Sequence, residues 1–156
     1  MHGWIRFVRL VAGAGFLAML SACGDSATAP TPPPQLNLTG SWSGIYGPAA
    51  SGTALRMTWD ATQTGNIVSG IATLVKPAVG VQARGALTGT LDGDRILLSL
   101  FVPTDSIPGH ARCSITGLGT ATATASRIAG SFPLMFGSCE GTGLEPPGTN
   151  ELVLTK

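Results

Sequence analysis

The sequence predicts an all-β domain, an eight-stranded antiparallel up-and-down barrel, carried behind a cleaved signal peptide and a proline-rich tether. Three observations lead there. Apolar residues recur with a period of two, as where Leu55, Met57 and Trp59 alternate with Arg56, Thr58 and Asp60, the pattern of a strand with one buried face. Turn residues interrupt these runs at short intervals, and Thr64-Gly65-Asn66 and Asp92-Gly93-Asp94 are hairpin chemistry because Gly and Asn tolerate positive φ. No stretch sustains the apolar spacing of three and four that a helix needs. Strands joined by short hairpins leave no open edge once the sheet closes on itself; a two-sheet sandwich is the alternative.

The chain divides into residues 1–22, 23–36 and 37–156. The first segment has the order of a secretory signal: Arg6 and Arg9, the apolar run Leu10 to Leu20, then the small residues Ser21 and Ala22. The run is too short to cross a bilayer, which takes about 20 residues. Leu20-Ser21-Ala22-Cys23 resembles the lipobox of bacterial lipoproteins. That resemblance implies cleavage before Cys23, a diacylglycerol thioether on its sulfur and an acylated amino group. Two or more acyl chains anchor stably, so the expected location is the cell envelope, on a membrane surface through lipid. Gly24 after the cysteine is similar to the pattern of outer-membrane lipoproteins. Residues 25–35, DSATAPTPPPQ, hold no large apolar residue and favour extended polyproline II; they read as a tether.

Strands are expected over 38–46, 53–62, 67–75, 82–91, 95–102, 112–123, 127–136 and 149–155. Glycine recurs inside them after an aliphatic and a small residue, as in Val68-Ser69-Gly70 and Ile115-Thr116-Gly117. Such glycines mark bends or close backbone approach, which the coiled strands of a small barrel need. Alternation points Trp42, Tyr46, Met57, Trp59, Leu98, Leu100, Phe132, Leu134, Leu152 and Leu154 inward.

Leu38-Thr39-Gly40-Ser41-Trp42-Ser43-Gly44 resembles the G-x-W opening of lipocalin and avidin-like barrels, and the Thr-Gly steps of residues 86–96 are similar to those of avidins. The resemblance implies a barrel closed by its last strand and makes Trp42 a plug at one end. Lipocalins set an arginine against that tryptophan; here Lys156 is the cation nearby. Avidins enclose biotin with several further tryptophans, whereas beyond the signal only Trp42 and Trp59 remain.

Composition excludes several classes. Without Arg6 and Arg9 the balance falls one charge to the acidic side, so no basic surface suits nucleic acid. Cys113 and Cys139 remain once Cys23 carries lipid, and in an oxidising compartment the pair reads as a disulfide. Metal binding through His110 and Cys113 is the rival, but zinc takes three or four ligands. Asp105, Ser106 and His110 hold the residue types of a serine triad, yet crowd one loop and lack a nucleophile elbow. Asp92 and Asp94 lack the other ligands of a calcium loop. Asp60, Glu140, Glu145 and Glu151 pair with nothing that assigns acid and base. The expectation is no enzyme, no cofactor and no metal.

What remains is binding. The interior either packs solid or holds one small apolar or amphipathic ligand, with Tyr46 and Trp59 as its expected contacts. The alternative is an envelope interaction protein or inhibitor that presents residues 47–52, 102–110 and 137–148 to a partner protein.

Overall fold

The computed structural model describes residues 36–48, 54–139, 144 and 150–156. Every regular element among them is a strand: β1 (Gly40–Tyr46), β2 (Leu55–Thr64), β3 (Ile67–Lys76), β4 (Val81–Asp92), β5 (Arg95–Val102), β6 (Ser114–Ala123), β7 (Arg127–Ser131), β8 (Leu134–Gly137) and β9 (Glu151–Thr155). The signal, Cys23, the tether, Glu140 and Glu145 lie outside the described residues.

Consecutive strands pair antiparallel from β1 through β7, and β9 then pairs with both β7 and β1. The ring is closed, so the fold is the barrel and not the sandwich. One expected strand is divided. The run predicted over 127–136 leaves the ladder at Phe132 and Pro133, between the Thr120↔Ser131 and Gly117↔Leu134 pairs. Pro133 has no N–H to give a ladder, and the Phe132 amide donates instead to the Asn150 carbonyl at 2.7 Å. The register on β6 is the same on both sides of the break, so β8 extends β7 as an additional short strand.

The buried face follows the alternation. The inward set from Trp42 to Leu154 is buried, Leu134 being its most exposed member at 7%. Seven glycines of β1, β3, β4, β6 and β7 share that face, Gly44, Gly70, Gly85, Gly89, Gly117, Gly119 and Gly130. Neighbours occupy the space their missing side chains leave. A Cβ on Gly70 would overlap the Asp60 carbonyl and lie 3.0 Å from Trp59 Nε1, while one on Gly119 would lie 2.9 Å from the Phe132 ring. Large aromatics thus sit where the opposing wall is thinnest, which is how a narrow barrel reaches interior packing density.

Strand direction sorts the connections. Those between β1 and β2, β3 and β4, β5 and β6, and β8 and β9 leave from one end, the loop end. The tight turns after β2, β4 and β6 lie at the other, the hairpin end, where the chain also enters β1 and finishes at Lys156. A Cys113–Cys139 disulfide, with a Cα–Cα distance of 4.4 Å and a sequence separation of 26, ties the β5–β6 connection to the β8–β9 connection. Reduction is expected to lower stability by roughly 3 kcal/mol through the freed loop entropy, measured as the drop in urea midpoint on adding a phosphine reductant.

Candidate functional site

The candidate site is the barrel interior and its two ends. At the hairpin end Trp42 is 1% exposed. Its Nε1 donates to the Leu38 carbonyl at 2.8 Å, and Lys156 Nζ lies 5.5 Å from the ring centroid, within cation–π range. Gly40 permits this: with φ +135 its chain passes so near Lys156 that a Cβ would be 2.7 Å from Cε. The lead-in is fastened by Gln63, whose Oε1 accepts from the Leu38 amide at 2.7 Å while its Nε2 donates to the Leu36 carbonyl at 2.8 Å and the Gly65 carbonyl at 2.9 Å.

Trp59 stands directly across from Trp42 in the β1–β2 ladder. It is fully buried, and its indole N–H has no hydrogen-bond acceptor among the described residues.

Tyr46 lies toward the loop end and pairs with Leu55. Its hydroxyl donates to Asn150 Oδ1 at 3.3 Å and accepts from the Leu134 amide at 3.2 Å. That amide opens β8, whose ladder partner is β6, so the phenol supplies an acceptor at the seam where β9 no longer runs alongside. Burial raises the Tyr46 pKa above the ordinary tyrosine value, partly countered by the bond from Leu134. A neutral phenol is therefore favoured by the fold: its contribution is complete below pH 10 and is lost as pH rises through the higher folded value. Tyr46 is the sole tyrosine of the chain. The expected outcome is that absorbance near 295 nm, which reports tyrosinate, stays flat through about pH 10 and rises together with loss of tertiary structure.

The loop end is covered from within. Ile107 and Leu144 are each 1% exposed and belong to the core. The β5–β6 connection is wound by its own turns, Ser106 N–H donating to the Pro103 carbonyl, His110 N–H to that of Ile107, and Cys113 N–H to that of His110. Lys76, on the inward face of β3 at this end, is 92% removed from solvent and has no ion-pair partner among the described residues.

Both residues expected to contact a ligand are buried on the inward face, Trp59 mid-strand in β2 across from Trp42 and Tyr46 across from Leu55 at the seam. A Cβ added at the inward glycines would meet neighbouring backbone or side chains. Side chains of Asp105, Ser106 and His110 share no hydrogen bond among the described residues, and Asp105 sits at φ +71 on an exposed turn. Asp60 accepts from the Ser41 hydroxyl at 2.7 Å. No group of His, Cys, Asp and Glu among the described residues is arranged to hold a metal. Sequence reasoning did not single out Gln63, Asn150 or Lys76: each is one polar residue without a periodic signature, and its role depends on strands distant in the chain.

The outer wall bears shallow hollows. One of about 440 Å³ lies among Ile71, Arg84, Ala86, Phe101 and Pro103. A second, about 360 Å³, lies beside Ile45 and Val153, and a third of about 260 Å³ beside Asp94 and Arg95. Compared with protein-family models, curated proteins and solved structures, the chain matches none.

Proposed function

We propose that this chain is an envelope lipoprotein, held by lipid on Cys23, whose barrel is a non-catalytic recognition module for a partner protein. The observation that carries the reading is the distribution of ends. Four connections leave the loop end, two of them tied by Cys113–Cys139, while the segment following the tether enters at the opposite end through Leu36 and Leu38. The chain's point of entry at Leu36 thus lies at the end opposite those connections and leaves them clear. Loops on a rigid scaffold are where binding residues concentrate, and the large aromatics Trp42, Trp59, Tyr46 and Phe132 are buried in the core, which supports recognition at the surface.

Photo-crosslinking in intact envelopes tests this. A benzophenone amino acid at Pro103 or Arg112 is expected to form adducts with another protein, and the same group at Asp92 or Thr124 to form few. Equal labelling from both ends overturns the reading. For the anchor, labelled palmitate is expected to enter the wild-type chain and not Cys23→Ser; a wild-type chain that takes no label removes it.

One observation favours a small ligand in the lumen as a second reading, the unsatisfied Trp59 indole N–H. An apolar molecule bearing an acceptor would shift the Trp59 indole resonance in a nitrogen–proton correlation spectrum. An unmoved resonance across a fatty-acid and sterol panel removes this reading.

A further inference from the structure

The outward face of β3, β4 and β5 carries a cross-strand row in which Ile71 pairs with Ala86 and Ala86 with Phe101. Ile71 is 46% exposed and Phe101 55%, yet the residue between them offers only a methyl group. Two large side chains flanking a small one leave a trough, the hollow of about 440 Å³, which Pro103 and Ser106 extend toward the loop end. The apolar surface runs on past Thr116 to Met135, which is 68% exposed. Contiguous exposed apolar surface of this kind marks interaction sites more often than isolated residues do.

Arg84 is the single charged side chain that lines the trough, and it has no hydrogen-bond or ion-pair partner among the described residues. The acidic residue next along the row, Asp60, lies beyond Ile71 and accepts from Ser41. The surface therefore joins apolar walls to an uncompensated guanidinium, a fork suited to a carboxylate. Covering the trough with an apolar group would also exclude water beside that pair and strengthen it. Shape decides between occupants. A small-molecule site encloses most of its ligand, whereas this trough is shallow and lies on a convex wall, so a chain spread along the surface gains more contact than a compact molecule.

We propose that the trough binds an extended segment of a partner protein, seating a large apolar side chain over Ala86 and an adjacent carboxylate on Arg84. This rests on the recognition-module reading and assigns it a surface and a chemistry.

The test uses the full lipidated protein in phosphatidylcholine nanodiscs and short fluorescein-labelled peptides followed by anisotropy. The peptides carry a central leucine–glutamate or phenylalanine–glutamate step in a glycine–serine background, beside glutamine counterparts. Glutamate peptides are expected to bind about tenfold tighter than glutamine ones, and to weaken as salt rises. Ala86→Trp fills the trough and should abolish binding, and Arg84→Glu should reverse the preference toward lysine peptides. Both substitutions face solvent, so the urea midpoint should hold. Equal affinity for glutamate and glutamine, binding unaffected by Ala86→Trp, or no binding at about 1 mM overturns the proposal. So does a trough that takes laurate in place of every peptide. If the peptides fail while Arg112 adducts persist, only this assignment falls; if the peptides bind while Arg112 gives no adducts, the loop-end reading falls and the trough stands.

Discussion

Gly70→Val is expected to lower stability by about 3 kcal/mol or more, and the unfolding temperature by about 10–15 °C. Valine suits strands in general, so local preference argues for a gain. The loss comes from position. The new Cβ would overlap the Asp60 carbonyl on the neighbouring strand, and a backbone carbonyl cannot rotate aside without breaking ladder bonds near the Ala61↔Gly70 pair. Gly117→Ala is the control. Its Cβ would meet Leu134 Cδ2 at 2.5 Å and Phe132 Cζ at 2.9 Å, side-chain tips, with the Pro133 carbonyl at 3.2 Å. That loss should be smaller and be partly relieved by Leu134→Ala. Urea unfolding of the three variants decides it: a Gly70→Val barrel with the wild-type midpoint contradicts the close approach of β2 and β3.

Trp42→Ala is expected to cost about 3–5 kcal/mol, the usual range for deleting a buried aromatic. The indole fills the hairpin end, donates to Leu38 and lies beneath Lys156, so truncation removes packing, a hydrogen bond and a cation–π contact together. Phenylalanine at the two tryptophans separates these effects. Trp42→Phe leaves the Leu38 carbonyl without its donor, whereas Trp59→Phe removes a buried N–H that has no acceptor among the described residues. An unsatisfied buried donor costs about 1–3 kcal/mol, which offsets the lost ring volume at position 59. Trp42→Phe should therefore be the more destabilising, and chemical unfolding of the pair measures the difference. The opposite order would mean that the Trp59 N–H is satisfied in solution.

Much of the architecture was legible because a half-buried sheet writes its geometry into alternation. The row Ile96, Leu98, Leu100 and Val102 is β5, buried residue for buried residue. The turns at Gly65 and Gly93 carry the φ of +61 and +64 that their chemistry requires. Alternation is blind to what one strand does to a distant one. Pro133 was visible, but the ladder's lapse there depends on Asn150 taking the Phe132 amide. Glycines on the inward face cannot be weighed along the chain alone, because their neighbours, such as Trp59 at Gly70 and Phe132 at Gly117 and Gly119, come from other strands. For the site, the G-x-W motif marks Trp42, while Tyr46 and Trp59 stand out only by their chemistry. The seam that engages the Tyr46 hydroxyl is a property of three strands at once. The trough escaped notice because it is built from outward positions, where a pattern search expects only solvation.

The ring is closed by β1 and β9, whose residues Ser43 and Thr155 are 112 apart in sequence yet joined by a hydrogen bond of 3.3 Å. The hairpins from β2 to β5 need only short loops and can form early, whereas this final pairing carries the largest loop-closure entropy. Until β9 arrives, β1 and β7 each expose a row of unpaired amides and carbonyls, the template on which sheets of separate molecules join. The slowest step of folding is then also the step that protects against aggregation. A chain shortened before Glu151 should accumulate as intermolecular sheet rather than as a slightly weakened monomer.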